Sequence, residues 1–342
     1  MTKKTIQPSK RLSIREIARI ANVSATTVSF VLNGRAKEYN ITEATCERVL
    51  QAVRNNNYKQ NFHGRALMAR KTYLIGVLVH ALTNSFWNQI IAGINEKLTA
   101  AGFYMMLAGL GSRQKDTGEA LKTMSRMGVD GFITAIDFSS YDVDNMTLPD
   151  YWYNKKLVNV LHPLPGIPSV STDHGAGMTM IGEELWRLGH RQIAFFGPIG
   201  PNPNSRFNEN WRHISKFFQL RNCDVKAIED IEEMMARYRE FTAVVCQRDK
   251  NAILLLQKCS ETGIRVPEDI SIVGYGGIDG ELASLINPEL SSVIECKKEL
   301  GMVAAERLLA MVNEQPDPYK ELHTYLLPHF APGTSIKDIA DD

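Results

Sequence analysis

Over the first sixty positions apolar residues recur at helical spacing. Ile14, Ile17, Ala18 and Ala21 fall at i, i+3, i+4 and i+7, one face of an amphipathic helix that Ser13 can cap. Val28, Val31 and Leu32 give a second helix, capped by Ser24, an inward stripe, with Asn22 and Val23 in a tight connection between the two. Cys46, Val49, Leu50 and Val53 repeat the spacing behind Thr42, and Tyr58 closes a small three-helix core. This pattern leaves Ala25, Thr26, Thr27, Ser29 and Phe30 on the free face of the second helix, a small and polar surface that suits a DNA major groove. Two short helices and a tight turn also occur in many α proteins, so the pattern alone leaves both readings open.

From Tyr73 onward short apolar runs alternate with helical patterns. Strands are predicted at Tyr73–Val79, Phe103–Ala108 and Gly131–Ala135, with helices at Phe86–Ala101 and Thr117–Met127 between them. After the proline-rich 163–168 stretch the rhythm restarts. Extended segments at Ser169–Thr172, Ile193–Phe196, Ala243–Cys246 and Ile270–Val273 alternate with helices at Gly177–Leu188, Asn208–Leu220 and Lys250–Thr262. Such alternation implies doubly wound parallel sheets, here in two similar units with a cleft between them.

Charge sharpens the DNA reading. The chain of 342 residues is near neutral, net +1, yet Met1 to Lys71 holds 14 Lys and Arg against 4 Asp and Glu, leaving 25 basic and 34 acidic residues to the rest. A basic head on an acidic body is the footprint of a phosphate-binding module joined to a domain with other work. With 44% hydrophobic residues the chain has ample material for a core. No apolar run approaches a membrane span and MTKKTIQPSKR lacks the apolar stretch of a signal peptide, so a cytoplasmic, globular protein is expected. The five cysteines, Cys46, Cys223, Cys246, Cys259 and Cys296, show no metal-ligand spacing and read as reduced thiols.

SIREIARIANVSATTVSFVLNG, followed by ITEATCERVLQAVRNNNYKQN, resembles the head of LacI/GalR-type transcriptional regulators. The resemblance continues through LVNVLH, VSTDHGAG, LGHRQIAFFGP and VPEDISIVGY to about residue 336. It implies an α plus α/β architecture: a helix-turn-helix head (1–60), a hinge helix (61–71) and a periplasmic-binding-protein-like body (72–336), with 337–342 as a tail. One subdomain of that body would comprise 72–172 and 296–326, the other 173–295 and 327–336. It further implies a homodimer on a palindromic operator, with no membrane and no cofactor. Repression is the commoner mode in the family; activation stays open.

The resemblance assigns DNA contacts to Ser24, Ala25, Thr26, Thr27, Ser29, Phe30, Asn33, Arg35, Tyr58, Asn61 and, as a minor-groove wedge from the hinge, Leu67. Gly64 and Gln60 stand where the family usually has alanine and proline, which predicts a hinge that folds less readily. For the cleft it nominates Phe86, His162, Asp173, Arg248 and Gly276, with Arg206 close by. Each has a plain alternative: Phe86 as core, His162 as a strand cap, Asp173 as a helix cap; Asp249 reads as the cap of its own helix.

Two departures bear on the ligand. Gly276 and Gly277 stand where relatives carry an aspartate that accepts ligand hydrogen bonds, and Arg248 replaces a small residue or asparagine. Losing an acid and gaining a guanidinium points to an acidic effector such as a sugar acid or sugar phosphate. The competing reading is a degenerate pocket under control of a protein partner, or none. An enzyme or a cytoplasmic sugar-binding protein is the distant alternative. GYGGIDG lacks the dinucleotide-binding spacing, and there is no Walker loop, nucleophile elbow, HExxH or metal-spaced histidine set.

Overall fold

The computed structural model describes residues 12–32, 34–58, 71–79, 82, 85–109, 114–135, 155–200, 206–278 and 285–340. The chain divides into two compact units, Met1–Thr72 and Tyr73–Asp342.

In the head, α1 (Ile14–Ala21) opens with a reciprocal cap in which Ser13 and Glu16 each bind the other's backbone N–H, and ends at Asn22 in a left-handed conformation, φ 52°. That residue turns the chain directly into α2 (Ala25–Leu32), where the Ser24 hydroxyl accepts from Thr27 N at 3.0 Å. α3 (Glu43–Asn55) is capped by Thr42. Ile17, Ala18, Ala21, Val28, Val31, Val49 and Ala52 fill the shared core, and Tyr58 packs against it.

The body holds two lobes. In the first, β1 (Leu74–Val79), β2 (Tyr104–Gly109), β3 (Gly131–Ala135), β4 (Leu157–Val160) and β5 (Ser169–Thr172) join β11 (His323–Leu326) in a six-stranded parallel sheet of order β11-β5-β4-β3-β1-β2. α4 (Ser85–Ala100) and α5 (Gln114–Arg126) serve this lobe. In the second lobe, β6 (Ile193–Phe196), β7 (Val225–Ile228), β8 (Ala243–Cys246), β9 (Ser271–Gly276) and β10 (Ser291–Ile294) run parallel, and β12 (His329–Ala331) closes the edge antiparallel to β10. Its helices are α6 (His174–Arg187), α7 (Arg206–Gln219), α8 (Ile231–Arg237) and α9 (Asp249–Thr262).

The chain passes between lobes three times: from β5 to α6, from β10 to α10 (Lys297–Val312), and from β11 to β12. α10 packs along α4 so closely that a Cβ on Gly93 would meet Lys298 O at 2.0 Å and one on Gly301 would meet Ile90 O at 2.1 Å. Within α10, Arg307 is 1% exposed. Its guanidinium donates to Asp317 Oδ2 (2.8 Å), to the carbonyls of Ser169, Leu322 and Glu321, and to Thr324 Oγ1, and so ties α10 to two neighbouring strands and the segment leading into β11.

Most predicted elements match the structure to within about three residues at each end. Strands β7, β10, β11 and β12 and helix α8 were not foreseen. β7 is an edge strand with two exposed positions and α8 has seven residues, so neither produces an apolar run or a full helical period.

Candidate DNA interface and effector cleft

Thr26 is exposed on α2, while Thr27, Phe30 and Ala25 are half-buried, Ala25 packing on the head core. Ser29 departs from the reading as a free-face residue: it is 4% exposed. It lies four positions after Ala25 and three before Leu32, so the inward stripe of α2 leans toward Ala25, Ser29 and Leu32 and leaves Thr26 and Phe30 as the outward pair. Ser24, at the entrance of α2, is occupied with Thr27 through both backbone and hydroxyl.

Phe30 does not stand alone. Its ring stacks on Tyr39 with centroids 3.6 Å apart and planes at 6°. The Arg35 guanidinium lies 5.0 Å from the Tyr39 centroid and binds Glu38 through two bonds and the Tyr39 hydroxyl at 2.8 Å. The Arg35 bonds hold the Glu38 carboxyl below its usual range. Any phosphate reaching Arg35 therefore competes with Glu38. Asn33, Asn61 and Leu67 lie outside the described residues, as does the 61–70 part of the expected hinge.

In the body, the carboxyl ends of both sheets carry the nominated cleft residues. His162 follows β4, held by Asn159, whose side-chain amide donates to His162 O at 2.7 Å while its Oδ1 accepts from Thr134. Asp173 follows β5 and caps α6, its Oδ1 accepting from Ala176 N at 2.8 Å. Phe86, in the first turn of α4, packs edge-on against Trp87 and beside the first lobe's core, so the core role weighed for it is at least part of its work. Arg248 occupies the N-cap position of α9 without a side-chain cap bond, and Gly276 ends β9. Arg206 opens α7; its side chain is outside the described set.

A family match to bacterial regulatory proteins of the lacI family covers residues 13–61, and one to the periplasmic binding protein-like domain covers residues 183–336. The chain belongs to the LacI family. Its head is therefore a DNA-binding module of a transcriptional regulator, and its body is the family's two-lobed α/β domain. The ribose operon repressor of Haemophilus influenzae is 27% identical over 330 residues, covering 91% of this chain and 95% of that one. A LacI family transcriptional regulator from Enterococcus faecium with bound ribose is 26% identical, with a TM-score of 0.64 over 78% of this chain and 99% of that one. The Lac repressor dimer bound to operator and an anti-inducer shares the fold, with a TM-score of 0.77 at 22% identity over 96% of this chain and 100% of that one.

Asp249 does not cap its helix; it is the first residue of α9, 5% exposed, and its Oδ1 accepts from Ser292 Oγ at 2.6 Å. Residue 248 takes the cap position, which turns the Asp249 side chain onto the face of the sheet. A cavity of about 140 Å³ adjoins it, lined by Gly277, Leu290, Ser292, Ile294 and Pro332, all from the second lobe and not from both. Burial raises the Asp249 carboxyl from 3.8 to about 6, opposed by the Ser292 bond, Lys297 and the Gly277 backbone.

Because the folded value is raised, the folded protein holds a proton that the unfolded chain releases between about pH 4 and 6, so this group's contribution falls as pH rises and is fully unfavourable above 6. Asp249→Asn keeps the Ser292 bond and removes that cost. We expect its stability relative to the parent to be greater at pH 8 than at pH 5 by about 1 kcal/mol. Thermal denaturation of both proteins at the two pH values checks this; a gap independent of pH overturns it.

Sequence reasoning missed Tyr39, Glu38 and Lys297. The first two stand in a polar loop whose stacking on α2 has no periodic signature. The last follows an apolar strand and reads as an ordinary charged residue before a helix.

Proposed function

We propose that this chain is a cytoplasmic repressor, without catalytic activity, that binds a palindromic operator as a homodimer. In this reading α2 lies in the major groove with Thr26 and Phe30 toward base edges, and Leu67 from each copy wedges into the minor groove. The observation that carries it is the outward Thr26 and Phe30 pair on the second helix of a well-capped helix-turn-helix. The net +10 charge of residues 1–71 supplies the phosphate attraction.

The body is then the switch. A small carbohydrate-derived molecule carrying an acidic group binds where the two lobes' strand ends meet, alters the angle between lobes, and so changes whether two heads dock together. The ribose-bound relative from Enterococcus faecium supports a carbohydrate. Arg248 supports the acidic group.

A thermal-shift screen of the purified protein against neutral sugars, sugar acids and sugar phosphates tests the switch. At a hundredfold excess over its dissociation constant, a ligand stabilises the body by about 2.7 kcal/mol, a rise of several degrees. We expect an acidic compound to raise the midpoint and to change retention of an operator selected from a random DNA pool. A rise with neutral sugars alone overturns the acidic assignment. No rise with any compound overturns the small-molecule switch and leaves control by a protein partner.

A further inference from the structure

The loop that leaves α2 folds back on the helix before α3 begins. Arg35 N donates to Phe30 O at 2.9 Å, Tyr39 N to Arg35 O at 3.3 Å and Ile41 N to Ala36 O at 2.9 Å. Asn40 takes the left-handed conformation, φ 52°, that turns the chain from Tyr39 toward α3. These bonds bring the Tyr39 ring almost parallel to that of Phe30, with centroids 3.6 Å apart. Arg35 fastens the arrangement: it donates to the Tyr39 hydroxyl at 2.8 Å while Glu38 holds the guanidinium through two bonds of its own. All these bonds lie within residues 30–41, so the loop sets the ring without help from a distant part of the chain.

The stack widens the surface beside Thr26. Phe30 lies four residues after Thr26, on the same side of α2. Phe30 alone is half-buried, whereas Tyr39 is 44% exposed, so two rings stand where one would offer little area. Neither ring makes the paired hydrogen bonds by which arginine reads guanine or asparagine reads adenine. Phenylalanine has no polar group, and the Tyr39 hydroxyl is engaged by Arg35. The surface is apolar carbon, and in the major groove the apolar base-edge group is the 5-methyl of thymine. An aromatic wall shields that methyl from water without stranding a donor or acceptor. A cytosine amino group or a purine acceptor in the same place loses its water and gains no partner.

We propose that the Phe30–Tyr39 stack reads a thymine methyl in each operator half-site, with Tyr39 as the positioning residue. Phe30 touches the base; Tyr39 acts through it, holding the ring at the angle the contact needs. The proposal rests on the reading above in which α2 lies in the major groove, and adds to it the base recognised and a residue outside the helix.

The test titrates full-length protein by gel shift against an operator selected from a random DNA pool. Copies of that operator carry deoxyuridine in place of thymine at one symmetric pair of positions at a time, which removes the methyl and leaves every hydrogen-bonding group. One such pair is expected to weaken binding of the parent by about tenfold, the two methyls of a dimer site together. Phe30→Ala abolishes that penalty and so identifies the pair. Tyr39→Ala cuts it to about threefold or less, and Tyr39→Phe, which keeps the stack and loses only the hydroxyl, retains it. Thymine and deoxyuridine operators are compared on the same protein, so a change in the folded fraction cancels from the ratio. Tyr39→Leu takes the place of an alanine variant that binds neither. If Tyr39→Ala weakens both operators by the same factor, Tyr39 only stabilises the head and its positioning role is overturned. If no replacement weakens the parent, or the one that does is unaffected by Phe30→Ala, the methyl reading is overturned while operator binding stands. A parent that enriches no sequence over random DNA overturns the major-groove reading and this proposal with it.

Discussion

Arg307→Met is expected to lower the stability of the body by about 3–5 kcal/mol, the cost of removing one partner from a buried hydrogen-bonded ion pair. Methionine fills much of the volume, so the loss is electrostatic. Asp317 remains half-buried without its guanidinium, and the carbonyls of Ser169, Glu321 and Leu322 lose a common donor. β11 then keeps its ladder with β5, the Ser169–His323 side-chain bond and the packing of Leu326 to hold it at the edge of the sheet. For a unit of this size the unfolding midpoint falls by roughly 10 °C. Circular dichroism melts read the loss directly. A shift of less than about 2 °C shows that water replaces the network and that β11 is held without it. Arg307→Lys recovers only part, because a single ammonium cannot reach both the carboxylate and the strand carbonyls.

Thr26→Glu is expected to abolish specific operator binding, by about a hundredfold or more, with the head still folded. Thr26 is exposed, and a carboxylate in the first turn of α2 agrees with the helix dipole, so nothing in the head's packing opposes it. On DNA the same carboxylate faces base-edge acceptors and a phosphate field, and one lost contact already costs about 1–3 kcal/mol in each half-site. Gel-shift titration on a selected operator measures the affinity. If binding falls less than about fivefold, α2 does not enter the groove by this face. Ser29→Ala serves as a comparison: as a buried residue it alters DNA binding only through head stability.

These outcomes separate what the sequence made legible from what it did not. The helix-turn-helix was readable because its caps, stripe and turn are all local: Ser13, Ser24 and Thr42 accept the bonds that their positions predict. The alternation of strands and helices was readable for the same reason, since buried parallel strands announce themselves as continuous apolar runs. What a neighbour in space contributes was hidden. The stacking of Tyr39 on Phe30, the withdrawal of Ser29 into the core and the turning of Asp249 toward Ser292 each depend on a partner that no periodicity marks. The cleft was half legible: the glycines at 276 and 277 announced a missing acid, but nothing local shows that Lys297 acts on the buried Asp249 carboxylate.

The triple passage between lobes has a consequence for how the chain is made. The first lobe receives α10 and β11 only after the second lobe's strands β6 to β10 have been synthesised, and the second lobe is completed by β12 at His329–Ala331. As the ribosome emits the chain, a head of local contacts has everything it needs within its first sixty residues, whereas neither lobe can finish its sheet until almost the last codons are read. A chain cut short between residues 60 and 296 therefore has a head able to fold and a first sheet lacking β11, with the face of α4 that α10 covers left bare.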